Sequence, residues 1–202
     1  MQENTSLNTP RAYSLSTRQK VLVEIFELLE MLAAVTIVVM LTFIFLARVN
    51  IVDGHSMDKT LAHMEYLLVS DLFYEPKTGD IVVIHDITAA PYDEPIVKRI
   101  IATEGQTVTI DFSSWTLWVD DVLVEEPYRY LDSTLPTLKA EYNMDTATVF
   151  TVTVPAGEIF VMGDNRNGSA DSRQSELGTI DVRCVVGKAY VRLLPVSKFG
   201  LL

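Results

Sequence analysis

The hydrophobic rhythm of the chain changes once. From Met31 to Ala47 the sequence MLAAVTIVVMLTFIFLA holds no charge and only two threonines. At 1.5 Å per residue this run predicts roughly 25 Å of helix, close to the hydrocarbon thickness of a bilayer. It has no polar stripe, which a core helix would show. It ends in Leu46-Ala47-Arg48 rather than the small-residue pattern of a cleavage site, so it reads as a retained membrane anchor. Arg11, Arg18 and Lys20 precede it, while Glu24, Glu27 and Glu30 count little in the positive-inside rule. Despite Arg48 on the far side, the flanks predict a cytosolic N-terminus and export of everything after Asn50. The expected layout is a cytosolic tail over 1–20, an anchor helix over 21–49 and an extracytoplasmic domain over 50–202.

Beyond the anchor, apolar residues come in short runs broken by turn residues, which predicts strands. The candidates are Tyr66 to Val69, Asp80 to His85, Ile96 to Ala102, Thr107 to Ile110, Thr116 to Val124, Val149 to Val154, Glu158 to Met162 and Arg183 to Leu193. Turn signals at Pro76 to Asp80, Pro155-Ala156-Gly157 and Asn167-Gly168 separate them. Residues after the anchor show no long helical pattern. The fold class is therefore mainly β behind an N-terminal helix. Residues 111–147 form an expected inserted lobe, with a hairpin around Asp120-Asp121.

Charge and cysteine content narrow the function. The 202 residues carry a formal net charge of −11, which leaves no basic stripe to neutralise phosphates and argues against a nucleic-acid partner. Cys184 is the single cysteine, so the exported domain has no internal disulfide. His55, His63 and His85 are scattered, with no carboxylate or cysteine at a ligand spacing, so neither metal nor other cofactor is expected. They read as surface or half-buried side chains.

In PIVKRIIATEG, residues 95–105, Lys98 and Arg99 sit inside an apolar run. On a strand Lys98 shares a face with Ile96 and Ile100, and burial there disfavours the ammonium and lowers its pKa. The adjacent Arg99 is expected to push the same way. A neutral lysine can serve as a base, and serine-lysine pairs are an established form of activated nucleophile. The competing reading is a lysine that snorkels to water or pairs with Glu94. IVDGHSMDKTL, residues 51–61, follows the anchor and supplies Ser56, with Met57 and Leu61 as apolar neighbours. GDNRNGSADSR, residues 163–173, follows a strand and is dense in Asp, Asn, Gly, Ser and Arg.

Taken in order, these boxes resemble the type I signal peptidases, membrane-bound serine proteases that remove signal peptides from exported preproteins. The resemblance covers the anchor, G-x-S-M-x-x-T-L at Gly54 to Leu61, GDIVVI at Gly79 to Ile84, VKRII at Val97 to Ile101, GDNRNGSADSR and the closing apolar strand. The single anchor and Gly54 resemble the Gram-positive branch. The resemblance implies a coiled β-sheet catalytic domain, with Ser56 as nucleophile and Lys98 as general base. Ser169 would orient the lysine amine, and Asp171 and Arg173 would form a supporting ion pair. The Ser56 backbone N–H would contribute to an oxyanion hole. Val52, Met57, Leu61 and Val97 would line shallow pockets for the small residues of an A-x-A signal. The substrate would pair as an extended strand near Val52 to His55 and Pro95 to Val97. Asp164, Asn165 and Arg166 fit the same box as structural residues. The implied partners are exported preproteins and membrane lipid, near the secretion translocase, with Ser56 at the outer membrane surface.

Two departures stand out. Relatives commonly have proline where this chain has Lys59, and some have a hydroxyl residue where it has Gly54. Two other readings compete: a non-catalytic relative that binds exported subunits, and a self-cleaving regulator resembling the SOS-response repressors. The latter needs a DNA-binding head, for which a polar tail of about twenty residues is too short.

Overall fold

The computed structural model describes residues 16–45, 47–85, 94–132 and 149–202. The chain divides into two compact units, Met1–Phe45 and Leu46–Leu202.

The first unit contains helix α1, Thr17–Phe45. Its start has a local cause. The Ser16 hydroxyl accepts from the Gln19 N–H at 3.4 Å, and the Gln19 side-chain oxygen accepts from the Ser16 N–H at 2.9 Å. This reciprocal pair is a capping box. The helix therefore begins at Thr17, inside the expected tail, because the S-x-x-Q signal in STRQ outweighs the polar character of that stretch; residues 1–15 lie outside the described residues. The helix is long and apolar enough to cross a membrane. Thr36 and Thr42 donate their hydroxyls to the carbonyls of Leu32 and Val38 at 2.8 and 2.9 Å, so each threonine satisfies itself within the helix. The helical span stops at Phe45, short of the expected 49, because Arg48 to Ile51 are taken up in a strand.

The second unit is built from strands β1 (Arg48–Ile51), β2 (Tyr66–Ser70), β3 (Ile81–Ile84), β4 (Ile96–Thr103), β5 (Thr107–Asp111), β6 (Thr116–Val119), β7 (Val122–Leu123), β8 (Val149–Thr153), β9 (Glu158–Met162), β10 (Ile180–Asp181), β11 (Val185–Leu194) and β12 (Gly200–Leu201). The larger sheet runs β1-β2-β11-β3-β4-β9-β10, with β12 also paired to β11. The smaller runs β7-β6-β5-β8. All named pairs are antiparallel. The mainly β expectation holds, and β1, β10 and β12 are additions too short to be seen in the hydrophobic pattern.

Strand β3 explains its own unbroken apolar sequence. Ile81 and Val83 pack with Val52, Met57, Leu61, Leu67, Val69, Val97 and Ala189. Val82 and Ile84 pack on the opposite face with Ile100, Ile159, Val161, Leu177 and Ile180. A strand covered on both faces needs apolar side chains at every position. A third cluster joins Ile101, Ala102, Phe160 and Met162 of the larger sheet to Val108, Ile110, Leu117 and Val119 of the smaller.

The smaller sheet draws strands from inside and outside residues 111–147, the expected lobe. It begins at Thr107, because β5 pairs over its whole length with β8, Val149–Thr153, and with β6 from Val108 to Asp111. Residues 133–148, the remainder of that lobe, lie outside the described residues. The hairpin at Asp120-Asp121 is present: both have positive φ, 52° and 63°. Val119 pairs directly with Val122, the two-residue turn that matches strand twist.

Candidate active site

Ser56 lies on the loop that joins β1 to β2. The loop is closed at its base by Val52 N–H to the Glu65 carbonyl at 2.9 Å and Met64 N–H to the Val52 carbonyl at 2.8 Å. Val52, Met57 and Leu61 turn inward to the cluster that holds Val97. All four expected pocket residues thus come together as packed core, Leu61 with no exposed surface and Val97 the most exposed at 7 %. The far end of the loop is braced by Arg192, which donates to the Thr60 carbonyl at 2.6 Å and pairs with buried Glu65 at 3.0 Å.

Lys98 reaches this loop from β4. Its side chain is 3 % exposed, and Nζ donates to Ser56 Oγ at 3.0 Å and to the Val97 carbonyl at 3.2 Å. Both partners lie inside the protein, and neither is Glu94. The lysine therefore does not snorkel.

The 163–173 segment follows β9 and closes the site from the other side. The Asn165 N–H donates to the Ser56 carbonyl and its side-chain amide to the His55 carbonyl, both at 3.0 Å. Asn165 so holds the two peptide groups that flank the Ser56 Cα. Gly163 has no room for a side chain. A Cβ there would lie 2.4 Å from the Ser56 carbonyl oxygen and 2.3 Å from Ser169 Oγ. Buried Asp171 accepts the Gly163 N–H at 3.0 Å and two bonds from Arg173, Nε at 2.7 Å and Nη2 at 2.8 Å. The Ser169 hydroxyl bonds to the Asp171 carboxylate and lies 3.4 Å from the Ala170 carbonyl.

Asp164 links all three parts. It accepts from Thr60 Oγ1 at 2.5 Å on the nucleophile loop and from Arg99 Nε and Nη2 at 2.8 and 2.7 Å on β4. Arg99 also lies over the Tyr128 ring at 3.9 Å. Arg166 pairs with buried Glu126 and donates to the Gly163 carbonyl at 3.0 Å. Lys59, at the position where proline is common, lays its ammonium over the Tyr130 ring at 4.4 Å. The Tyr130 backbone is bonded in turn to Asp164 and Arg166 at 2.8 Å. A cation–π contact thus tethers the loop that proline would have stiffened.

Electrostatics set the lysine's proton affinity. Burial pushes Lys98 down to about 8 from an ordinary 10.5, with the Asp171 carboxylate opposing and the Arg173 guanidinium assisting. The assisting cation is Arg173, not the expected Arg99, whose charge is taken up by Asp164. Burial alone would raise the Asp171 carboxyl. The Arg173 charge and hydrogen bonds, with the Gly163 N–H and Ser169 hydroxyl, outweigh it and hold the group below the usual carboxylate range. A hydroxyl held against a largely desolvated amine of lowered pKa is the arrangement of an activated nucleophile.

Sequence reasoning passed over Thr60, the clamp made by Asn165 and the two tyrosines. A polar box directly after the buried strand EIFVM was the signal for Asn165. Thr60 stands in the G-x-S-M-x-x-T-L box, but its partner, like those of the tyrosines, is far away in sequence.

The chain matches the family model described as signal peptidase, peptidase S26, over residues 25–194. It is 31 % identical over 180 residues to "Probable signal peptidase I-1" of Synechocystis, spanning 85 % of this chain and 83 % of that protein. It is also 31 % identical over 187 residues to "Signal peptidase IB" of Staphylococcus aureus, spanning 86 % of this chain and 93 % of that one. A crystal structure of a signal peptidase I from Enterococcus faecalis aligns at 27 % identity and a TM-score of 0.41, over 57 % of this chain and 97 % of that one.

Proposed function

Because this chain belongs to the signal peptidase family, peptidase S26, and is therefore a serine peptidase, we propose that it removes signal peptides from exported preproteins with Ser56 and Lys98. The observation that carries this reading is the 3.0 Å contact between a buried Lys98 Nζ and Ser56 Oγ.

In the proposed reaction neutral Lys98 takes the Ser56 hydroxyl proton as Oγ attacks the scissile carbonyl carbon. The Ser56 N–H donates to the developing oxyanion. The ammonium returns its proton to the departing amine as the carbon–nitrogen bond breaks, leaving an acyl ester on Ser56. A water molecule, losing its proton to the same amine, cleaves that ester. Ser169, bonded to Asp171, holds the lysine side of the site, and the Asp171–Arg173 pair fixes Ser169.

The β9 pairing of β4 starts at Arg99, so the preceding stretch from Pro95 to Lys98 is an edge suited to an extended substrate. The rims of Val52, Met57 and Val97, backed by the buried Leu61, would accept small side chains before the cut. With α1 as a single-pass anchor, the tail would be cytosolic and the peptidase domain extracytoplasmic, against membrane lipid and near the translocase.

The test is cleavage of a secretory precursor by the detergent-solubilised protein beside Ser56→Ala and Lys98→Ala. The expected result is a cut after a small residue by the wild type and none by either variant at unchanged fold. Full cleavage by the Lys98 variant would remove the proposed base.

A further inference from the structure

The loop that carries Ser56 also carries two histidines that the proposed reaction does not use. His63 Nδ1 accepts the Gly54 backbone N–H at 3.1 Å and lies 3.3 Å from Asp53 Oδ1. His55 Nδ1 lies 3.0 Å from Asp58 Oδ2, and the two rings are 5.7 Å apart. Gly54 has a φ of +94° and precedes the nucleophile by two residues. A glycine in that conformation is the most deformable point of a loop, because no side chain limits its dihedral angles. Downstream, Ser56 is held through its carbonyl by Asn165. Upstream, the turn is held through the Gly54 N–H by His63.

We infer that neutral His63 is a positioning residue for the nucleophile: its Nδ1 fixes the Gly54 turn that aims Ser56 at Lys98, and protonation of the ring releases that turn. The inference rests on the peptidase reading above. Nδ1 accepts only while it carries no proton, so the neutral ring bears its proton on Nε2. A second proton enters at Nδ1 and turns that atom into a donor facing a donor. The new N–H is then drawn to the Asp53 carboxylate instead. The groups that face the ring are Asp53, the His55–Asp58 pair, and Glu65 and Lys198, which line the groove beside it.

The experiment compares kcat/KM for one signal-peptide substrate, from about pH 5.5 to about pH 9, using full-length wild type, His63→Ala and His63→Asn. Asn places a carbonyl oxygen near the Nδ1 position and has no proton to gain. At about pH 9 the Ala variant should be slower by about tenfold and the Asn variant close to wild type, the effect of one hydrogen bond. Histidine is the side chain that changes charge between pH 5 and 8. The wild type should therefore lose a further tenfold or so as pH falls, and converge with the Ala variant, while Asn stays above both. A wild-type to Ala ratio that is constant with pH, or near unity at high pH, would overturn the inference. Imidazole nitrogen NMR signals give an independent reading: Nδ1 must be the unprotonated nitrogen at high pH, and a proton found there sinks the proposal. If wild type cuts nothing, the peptidase reading and the catalytic meaning of His63 both fall, while the nitrogen signals still decide the hydrogen bond itself.

Discussion

Arg99 and Asp164 meet through two parallel hydrogen bonds, 2.8 and 2.7 Å long, with the carboxylate wholly buried and the arginine 11 % exposed. This fork latches the strand that delivers Lys98 to the segment that delivers Ser169. Thr60 bonds to the same carboxylate, so the loop carrying Ser56 shares the latch. One side chain outside the proposed chemistry thereby sets the spacing of three inside it.

Asp164→Asn keeps the shape and removes the charge. Leaving Arg99 opposite an amide should cost about 3 kcal/mol in denaturant unfolding, the usual scale for breaking a buried pair from one side. Activity should fall together with the Ser56–Lys98 alignment. Adding Arg99→Met should recover part of the stability, and a cycle with no coupling between the two positions would refute the latch.

Cleavage should depend on pH through Lys98. In the proposed reaction Lys98 acts as a neutral base, and burial lowers its pKa to about 8. Initial rates at limiting substrate should therefore rise about tenfold per pH unit below 8 and level off above it. A profile that peaks near neutrality and falls toward pH 9 would point to another base.

The same lowered pKa has a stability consequence. Between about 8 and 10.5 the unfolded chain holds a proton that the folded chain does not, so stability rises with pH across that window. Below it the buried ammonium is a standing cost of roughly 3 kcal/mol. Lys98→Met should therefore raise the melting temperature at pH 7 and lose that advantage above pH 10.5. An equal shift at both pH values would contradict the burial argument.

Gly163→Ala should abolish cleavage without unfolding the domain. The added methyl meets backbone oxygen on one side and Ser169 on the other, and neither is the free end of a flexible chain. A rate loss of about 100-fold or more is expected from displacement of the nucleophile's carbonyl. Circular dichroism should stay unchanged. Retained activity would mean that the 163–173 segment moves freely relative to the loop.

Much of this was legible before any coordinates. The unbroken apolar run marked α1, and packing on both faces explains why β3 and β4 read as strands. Lys98 in an apolar strand already carried its chemistry, because burial and altered basicity are one fact seen twice. What stayed hidden depends on distant partners. Nothing near Arg99 in sequence says that Asp164 claims its charge, so the neighbouring cation was given a role that belongs to Arg173. His63 looked like an ordinary loop residue because its acceptor role needs the Val52–Glu65 closure to bring Gly54 within reach. The capping box at Ser16 was visible in STRQ, yet polar composition hid it.

Strand β11 lies between β2 and β3 and bonds to both. Strands that are early neighbours in the chain thus cannot close ranks until a segment made more than a hundred residues later slides between them. Such long-range pairing is slow and concentrates at the end of folding. Until β11 has been made and has paired, the larger sheet therefore stands open between β2 and β3. The Ser56 loop ahead of β2 and Lys98 on β4 come into one sheet once β11 has taken its place between β2 and β3.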